Sequence, residues 1–489
     1  MSERSLYHQD ALPIADQMVT VPTEPVVFPY DGNPIGTAPV GSPDLAGRAR
    51  DHAVQLRPAM RRLPAHARRS VLLAVHAELR RRHRELADLL VLETGKPVVD
   101  CQTEVDRATL TVQTAAEEVA RIHGETVPLD LSATGEGLTG LWLRQPIGVV
   151  VGITGFNYPL LLAAHKLAPA IAAGCPVIAK PAPQAPLAVL ALAAMFRAAL
   201  REVGAPPGAV QVVTGGAEVG ATLVADRRIG AVSFTGSATV GHRIARAAAP
   251  TKVLLELGSN SALIVAADAE LGAAAAAVAR GGFYASGQAC ISVQRVLVER
   301  PVAQAFLDAL LPRVAALRAG DPRLASTQVS ALIDPAATQR VLNWVSHAEQ
   351  AGATTLLGGT TTNGVLAPTV LLDVPDEVHA WDEEIFGPVV CVRVVADFDE
   401  AVATTNRSRY GLHASVFTSG LHTTLRAIYD LDVGGVVINA VPGFRADNMP
   451  YGGVKDSGLG REGPRFAIEE LTVTRMAIIN PLPPERVPS

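Results

Sequence analysis

Lysine is scarce in this 489-residue chain: only Lys96, Lys166, Lys180, Lys252 and Lys455 occur among 42 basic residues. Arginine carries nearly all the positive charge, so a lysine inside a motif is rarely an accident. No Lys/Arg block stands out and the net charge is −5, which leaves no electrostatic footprint for nucleic acid. Cysteine is scarce as well. Cys101, Cys175, Cys290 and Cys391 lie far apart, with no CxxC pair and no histidine cluster beside them. That spacing argues against a zinc site and a disulfide framework, so no metal is expected. Free thiols fit a reducing, cytoplasmic compartment, and the question becomes whether one of them is reactive. Long apolar runs are missing too. The most apolar stretch, residues 147–179, is broken by Asn157, Pro159, His165, Lys166 and Pro169, so it cannot cross a bilayer as one helix. The Met1-Ser2-Glu3-Arg4 start lacks an apolar signal core. GxSxG, HExxH and Walker A motifs are absent, which removes support for serine hydrolase, zincin and P-loop chemistry.

What is present is ample core material: 48% apolar and 18% charged residues, with a mean hydropathy of +0.25. At roughly 150 residues per domain the length implies two to four domains. Residues 1–45 are rich in Pro and Gly and read as an irregular leading arm. Residues 43–88 and 100–123 read as helical, the arginine runs of the first being solvated faces. From Ile147 the chain alternates short β-branched runs with helices: strands at 147–153, 177–179, 210–213 and 229–234, helices at 160–173, 187–203 and 220–225. This rhythm predicts a parallel, doubly wound sheet. It restarts at Val253 and continues with strands at 263–266, 293–299, 389–395, 414–417 and 436–439. The fold class is therefore α/β with two doubly wound domains. Two detached strand-like segments, 135–143 and 471–479, suit a small β arm between subunits. The expected partition is a cofactor-binding domain at 1–123 and 147–258, a catalytic domain at 259–456, and an oligomerisation arm with the C-terminal segment at 124–146 and 457–489.

Several residues stand out against this frame. Gly458-Leu459-Gly460-Arg461-Glu462-Gly463 matches GxGxxG, but no apolar strand precedes it, so it reads as a flexible turn. Phe234-Thr235-Gly236-Ser237 follows a strand and opens a helix, where free N–H groups suit a pyrophosphate. Lys180 sits at a strand C-terminus, where open α/β sheets bind ligands. Glu256 interrupts the apolar strand Val253-Leu254-Leu255-Glu256-Leu257; burial there raises a carboxyl toward the range of a general base. Cys290, in a Gly-flanked loop before a strand, could be an exposed nucleophile or a small buried apolar residue. Asn157 is a turn residue or an oxyanion donor.

Together these pieces resemble the NAD(P)-dependent aldehyde dehydrogenase superfamily, from about Leu56 onward. The matching motifs, in the family's order, are Phe156-Asn157-Tyr158-Pro159, Lys180-Pro181-Ala182, Phe234-Thr235-Gly236-Ser237 with Gly241, Glu256-Leu257-Gly258, Gly287-Gln288-Ala289-Cys290, Glu384-Ile385-Phe386-Gly387-Pro388 and Pro450-Tyr451-Gly452-Gly453. The nearest subgroup holds lactaldehyde, phosphonoacetaldehyde and non-phosphorylating glyceraldehyde-3-phosphate dehydrogenases. The resemblance implies that Cys290 attacks an aldehyde, that Asn157 and the Cys290 N–H hold the oxyanion, that hydride passes to NAD or NADP, and that Glu256 activates water against the thioester, with Lys166 as a proton relay. It also implies a cofactor groove along Ile153, Thr154, Phe156, Lys180, Pro183, Gly215, Phe234, Gly236, Ser237, Gly241, Leu257, Glu384 and Phe386. A substrate tunnel is implied by Phe156, Tyr158, Leu162, His165, Ala289, Ile291, Arg445 and Tyr451, and a homodimer or homotetramer by the family at large.

Departures from the pattern bear on specificity. Pro183 stands where many NAD-preferring members carry Glu, so a 2′-phosphate is not repelled. Ala289 and Gln113 stand where phosphate-handling members carry Arg, which argues against a doubly charged substrate; the expectation is a small or medium, non-phosphorylated aldehyde, hydroxylated or not. Arg445 either meets a substrate carboxylate or hydroxyl, or pairs structurally with Asp447. Two rival readings are a CoA-acylating dehydrogenase, which commonly lacks the Glu256 base, and a non-catalytic crystallin-like relative, which tends to lose the cysteine.

Overall fold

The Pro- and Gly-rich start of the chain is ordered as two hairpins rather than an irregular arm. In the computed structural model, which describes residues 6–481, β1 (Ala11–Ile14) pairs with β2 (Gln17–Thr20), and β3 (Thr23–Val27) with β4 (Pro34–Pro39). Strands of four to six residues are too short to show a period, which is why the pattern was illegible. Gly36 is required there, since the Tyr7 carbonyl oxygen occupies the place of a Cβ. The outermost residues, 1–5 and 482–489, which fall in the expected cofactor domain and C-terminal segment, lie outside the described residues.

Four helices follow: α1 (Pro43–Arg62), α2 (Ala65–Arg81), α3 (His83–Thr94) and α4 (Val98–Glu118). Ser42 caps α1 through its hydroxyl, and Gly95, at φ 72°, ends α3. The stretch read as one helical region is thus broken at Leu63-Pro64 and at Arg82. Glu104 on α4 is fully buried; it pairs with the buried Lys96 and accepts N–H bonds from Leu160 and Leu161 at 2.9 and 3.2 Å.

Next come β5 (Glu125–Val127) and β6 (Thr139–Pro146), then the first wound unit: β7 (Val149–Ile153), α5 (Pro159–Ala173), β8 (Val177–Lys180), α6 (Leu187–Glu202), β9 (Val210–Val212), α7 (Ala217–Val224), β10 (Ile229–Thr235), α8 (Ala238–Ala248) and β11 (Lys252–Glu256). The strands form a parallel sheet in the order β11-β10-β7-β8-β9. The strand from Val253, read as opening the second half, is β11 and closes the first sheet beside β10, pairing Thr235 with Glu256. Residues Gly458–Leu459 add an antiparallel edge to it.

The second sheet is built on β12 (Ala262–Val265), α9 (Leu271–Gly281), β13 (Arg295–Glu299) and α10 (Ala303–Ala315). Outward from β13 run Val389–Val395, Thr369–Leu372 and Thr354–Leu357; outward from β12 run His413–Phe417 and Gly435–Ile438. All neighbours are parallel except the outermost Thr354–Leu357. Separate apolar clusters cover its two faces, and a third surrounds the first sheet. The two detached segments pair with each other: β6 runs antiparallel to Thr472–Ile479 over eight residue pairs. Leu143, Met476 and Ile478 on this small sheet stay exposed.

Candidate active site

The C-terminal ends of β7, β8, β10 and β11 open into a cavity of about 870 Å³ that reaches the loop after α9. Its wall holds Cys290, Glu256 and Asn157. It also holds Ile153, Thr154, Phe156, Lys180, Pro183, Phe234, Gly236, Ser237, Leu257, Glu384 and Phe386, and beyond them Tyr158, Leu162, Ala289, Ile291, Arg445 and Tyr451. Four expected site residues are not on that wall. Lys166 and His165 lie buried behind it. Gly215, at φ 119°, shapes the turn before α7, and Gly241 leaves room for the Leu257 side chain.

The loop that carries Cys290 is strained. Ala285, Ser286 and Gly287 take successive left-handed conformations, φ 48°, 57° and 73°, which cost energy for the two non-glycine residues. Side chains hold them there. Asp100 accepts from the Ala285 N–H at 2.8 Å, Ser286 Oγ from the Ser330 N–H at 2.8 Å, and Gln288 Oε1 from the Ile333 N–H at 3.0 Å. Gly287 is obligatory, because a Cβ would sit 2.0 Å from the Gly387 carbonyl oxygen. Cys290 alone of the four cysteines is not fully buried. Its Sγ lies 3.2 Å from the Tyr451 hydroxyl. Loss of hydration pushes the thiol up to about 12; the Tyr451 hydrogen bond pulls the other way, while Glu384 and Glu256 add to the rise. Asn157 Nδ2 donates to the Gln288 carbonyl at 2.9 Å, which ties this amide to the same loop.

Glu256 ends β11 and is buried. Desolvation, and then the nearby Glu462, lift its carboxyl well above the usual carboxylate range. Its Oε2 has no hydrogen-bond partner among the described residues. Lys166 on α5 approaches from below, donating to Thr235 Oγ1 at 2.8 Å and Glu462 Oε1 at 3.2 Å. Glycine at 152 leaves space for the Lys166 stem. Burial opposes the Glu462 charge, yet Lys166, His165 and Arg445 carry that carboxyl down to about 2. Glu462 belongs to the GxGxxG stretch read as a flexible turn. The correction has a physical reason: Gly458–Leu459 is pinned to β11 and Glu462 bridges to Tyr451, so the segment is fixed against the site.

Arg445 does more than pair with Asp447. Its Nη2 lies 3.2 Å from Glu462 Oε2 and 3.0 Å from His165 Nε2, whereas Nε is 3.8 Å from Asp447 Oδ1. Its guanidinium sits 3.8 Å from the Tyr451 ring centroid. Asp447 also takes a 3.0 Å bond from Arg107. Burial, followed by the Arg445 charge, lowers His165 to about 4, so it is neutral at ordinary pH. Arg107 on α4 lines the cavity, and this corrects the reading that Gln113 occupies the cationic position. Arg107 is three residues beyond Glu104 and shares its helix face; Gln113 is nine beyond, half a turn away, where it bonds Glu117. Arg107 Nε and Arg445 Nε are both buried without a hydrogen-bond acceptor among the described residues.

The other arm of the cavity suits a dinucleotide. Ser237 precedes α8 with no side-chain cap bond, so the hydroxyl and the first-turn N–H groups are available to an anion. Gly236 keeps the approach clear, since a Cβ would meet the Phe234 ring at 2.5 Å. Glu384 accepts from the Ser259 N–H at 3.0 Å and is raised to about 7 by burial. Phe386 and Phe156 meet edge-to-face at 5.8 Å. No carboxylate stands at Pro183, and Arg243 on α8 adds a cation to the wall. Among the described residues no helix is long and apolar enough to cross a membrane, and no cluster of His, Cys, Asp or Glu suits a metal.

The chain belongs to the aldehyde dehydrogenase family, whose sequence model matches residues 19–477, and it oxidises aldehydes with NAD or NADP. It is 40% identical over 414 residues to 3-sulfolactaldehyde dehydrogenase of Priestia aryabhattai, covering 84% of this chain and 86% of the relative. Aldehyde dehydrogenase 21 of Physcomitrella patens, solved with the reaction product succinate, superposes with a TM-score of 0.93 at 36% identity, covering 97% of this chain and 98% of that one. Glyceraldehyde-3-phosphate dehydrogenase GapN of Methanocaldococcus jannaschii, solved with NADP, gives a TM-score of 0.90 at 35% identity over 93% and 98% of the two chains.

Proposed function

We propose that the chain oxidises a small aldehyde whose far end carries one carboxylate or sulfonate, through a covalent bond to Cys290. The observation that carries the anionic end is the pair Arg107 and Arg445, on the cavity wall with buried Nε–H groups that lack acceptors. Two guanidinium groups at one end of the cavity suit an anionic group on the substrate. Two of the three relatives carry the same feature in their names, a sulfonated aldehyde and the product succinate, whereas GapN is named for a phosphorylated one. This reading keeps the expectation of a non-phosphorylated substrate and adds an anionic end to it.

Cys290 attacks the aldehyde carbon as the thiolate, its proton having passed to solvent; the C=O electron pair moves to oxygen, where the Asn157 amide and the Cys290 N–H face it. A bound nicotinamide would supply the hydride acceptor for that carbon. Ser237 and the α8 N-terminus would hold its pyrophosphate, Lys180 the adenosine ribose, and Glu384 with Phe386 the nicotinamide end. Glu256, in its ionised form, then takes a proton from water, which adds to the thioester and releases the acid. The Glu256 carboxyl favours water over CoA as the acceptor, and the intact Cys290 favours catalysis over a crystallin-like role. In this reading the cofactor domain is 1–123 with 147–258 and the catalytic domain 259–456, in a cytoplasmic homodimer or homotetramer joined through the exposed apolar β arm.

The test is a kinetic panel with NAD and NADP and no CoA. The highest kcat/KM falls on a carboxylated or sulfonated aldehyde, with the acid as product. An uncharged or phosphorylated aldehyde as the best substrate, or a strict need for CoA, overturns the proposal.

A further inference from the structure

Tyr451 was expected only to line the tunnel. Its hydroxyl instead points at the reacting sulfur, 3.2 Å from Cys290 Sγ. Three contacts fix the ring. The backbone of Tyr451 is bridged to that of Glu462, N–H to carbonyl at 3.0 Å and back at 2.6 Å. The Arg445 guanidinium covers one ring face at 3.8 Å. The His413 ring meets it edge-to-face at 5.2 Å and is itself held by the Pro442 carbonyl, 2.9 Å from Nδ1. Tyr451 is 2% exposed, packed with Ile291, Leu412 and Met449. Its hydroxyl therefore has little freedom to turn elsewhere.

The neighbourhood explains why such a donor matters. Around Cys290 stand the Glu256 and Glu384 carboxyls, which oppose a thiolate when ionised, together with the Tyr284 phenol and the Arg445 cation. A sulfur anion in this partly dry pocket needs a hydrogen-bond donor, and a phenol beneath a guanidinium is a strong one, because the cation draws electron density from the ring. We propose that Tyr451 is a catalytic residue: its hydroxyl donates to the Cys290 thiolate and holds that charge both before attack and when sulfur departs from the thioester.

No proton moves to or from tyrosine in this role. As the C–S bond forms, a sulfur electron pair enters it, the carbonyl pair moves to oxygen, and the hydrogen bond to sulfur slackens. On hydrolysis the C–S bond breaks, the pair returns to sulfur, and the hydroxyl is in place to receive it. The inference rests on the reading of Cys290 as the nucleophile.

The experiment is the rate of Cys290 alkylation by iodoacetamide as a function of pH, on the NADP-bound enzyme. In Tyr451→Phe the half-point of the profile moves up by about one unit and the rate at neutral pH falls about tenfold, as expected for loss of one hydrogen bond to a charge. NADP affinity stays within about twofold, since the hydroxyl faces sulfur. An unmoved profile overturns the inference. Should the phenylalanine variant fold poorly, replacement of Tyr451 by 3-fluorotyrosine decides: this stronger donor of nearly the same shape moves the half-point down, and an unmoved half-point overturns the inference as well. Peptide mapping keeps the two readings apart. Turnover that survives complete alkylation of Cys290 sinks the nucleophile itself; unmoved profiles in an enzyme that alkylation inactivates sink only the tyrosine.

Discussion

Lys166 and Glu462 meet at 3.2 Å inside the protein, and this pairing helps to set two neighbouring carboxyls apart, Glu462 lowered and Glu256 raised. Glu462 keeps its charge against Lys166 and Arg445. Glu256, which feels both burial and the Glu462 charge, is shifted toward its protonated form. A base works ionised, so kcat/KM falls as pH drops through the raised Glu256 value. Glu462→Gln removes the second of the two forces that raise Glu256 and frees Lys166 to favour its charge. The acid limb of the kcat/KM profile then shifts to lower pH. A shift the other way, or none, contradicts the assignment of Glu256 as the base.

Arg107 and Arg445 differ in how they are held, and that makes Arg107 the better probe. Arg445 is bound to Glu462 and stacked on Tyr451, so its removal disturbs the nucleophile as well. Among the described residues Arg107 has Asp447 as its one charged partner. Arg107→Gln raises KM for a carboxylated aldehyde about 10- to 100-fold, the loss of one charge-assisted contact. For an uncharged aldehyde of equal length KM changes less than about twofold. Equal losses on both substrates would place Arg107 outside the anion site.

A further expectation concerns stability. Lys96 is buried between Glu104 and the face of Tyr158, its Nζ 3.7 Å from the ring centroid. Glu104 also caps α5, the helix that carries His165 and Lys166. Lys96→Met leaves that carboxylate buried without its counter-ion, a loss of about 3–5 kcal/mol. Adding Glu104→Gln recovers part of it. Thermal melts of the single and double variants check this; a neutral single variant contradicts it.

Much of the site was legible because reactive residues sat where apolar ones should. Glu256 in an apolar strand, Cys290 in a glycine-flanked loop and Ser237 opening a helix each break a local pattern. The residues that escaped notice break none. Arg107 reads as one more arginine on a helix face, and its distance from Gln113 around α4 emerges only when Glu104 is anchored under α5. Glu462 hid in a glycine-rich segment whose rigidity comes from pairing with β11, a long-range contact that leaves no local trace. The wound sheets were legible as alternating runs, whereas the strands Thr354–Leu357 and Thr369–Leu372 and the first hairpins were too short to register.

The most direct measurement is the mass of the enzyme caught in turnover. Glu256→Gln is mixed with NADP and a carboxylated aldehyde, quenched in acid and digested. Without the base, hydrolysis slows by about 10²- to 10⁴-fold while hydride transfer proceeds, so the thioester accumulates. The peptide bearing Cys290 then gains the mass of the aldehyde less two hydrogen atoms. NADPH formed without that adduct, or an adduct on another residue, contradicts covalent catalysis at Cys290.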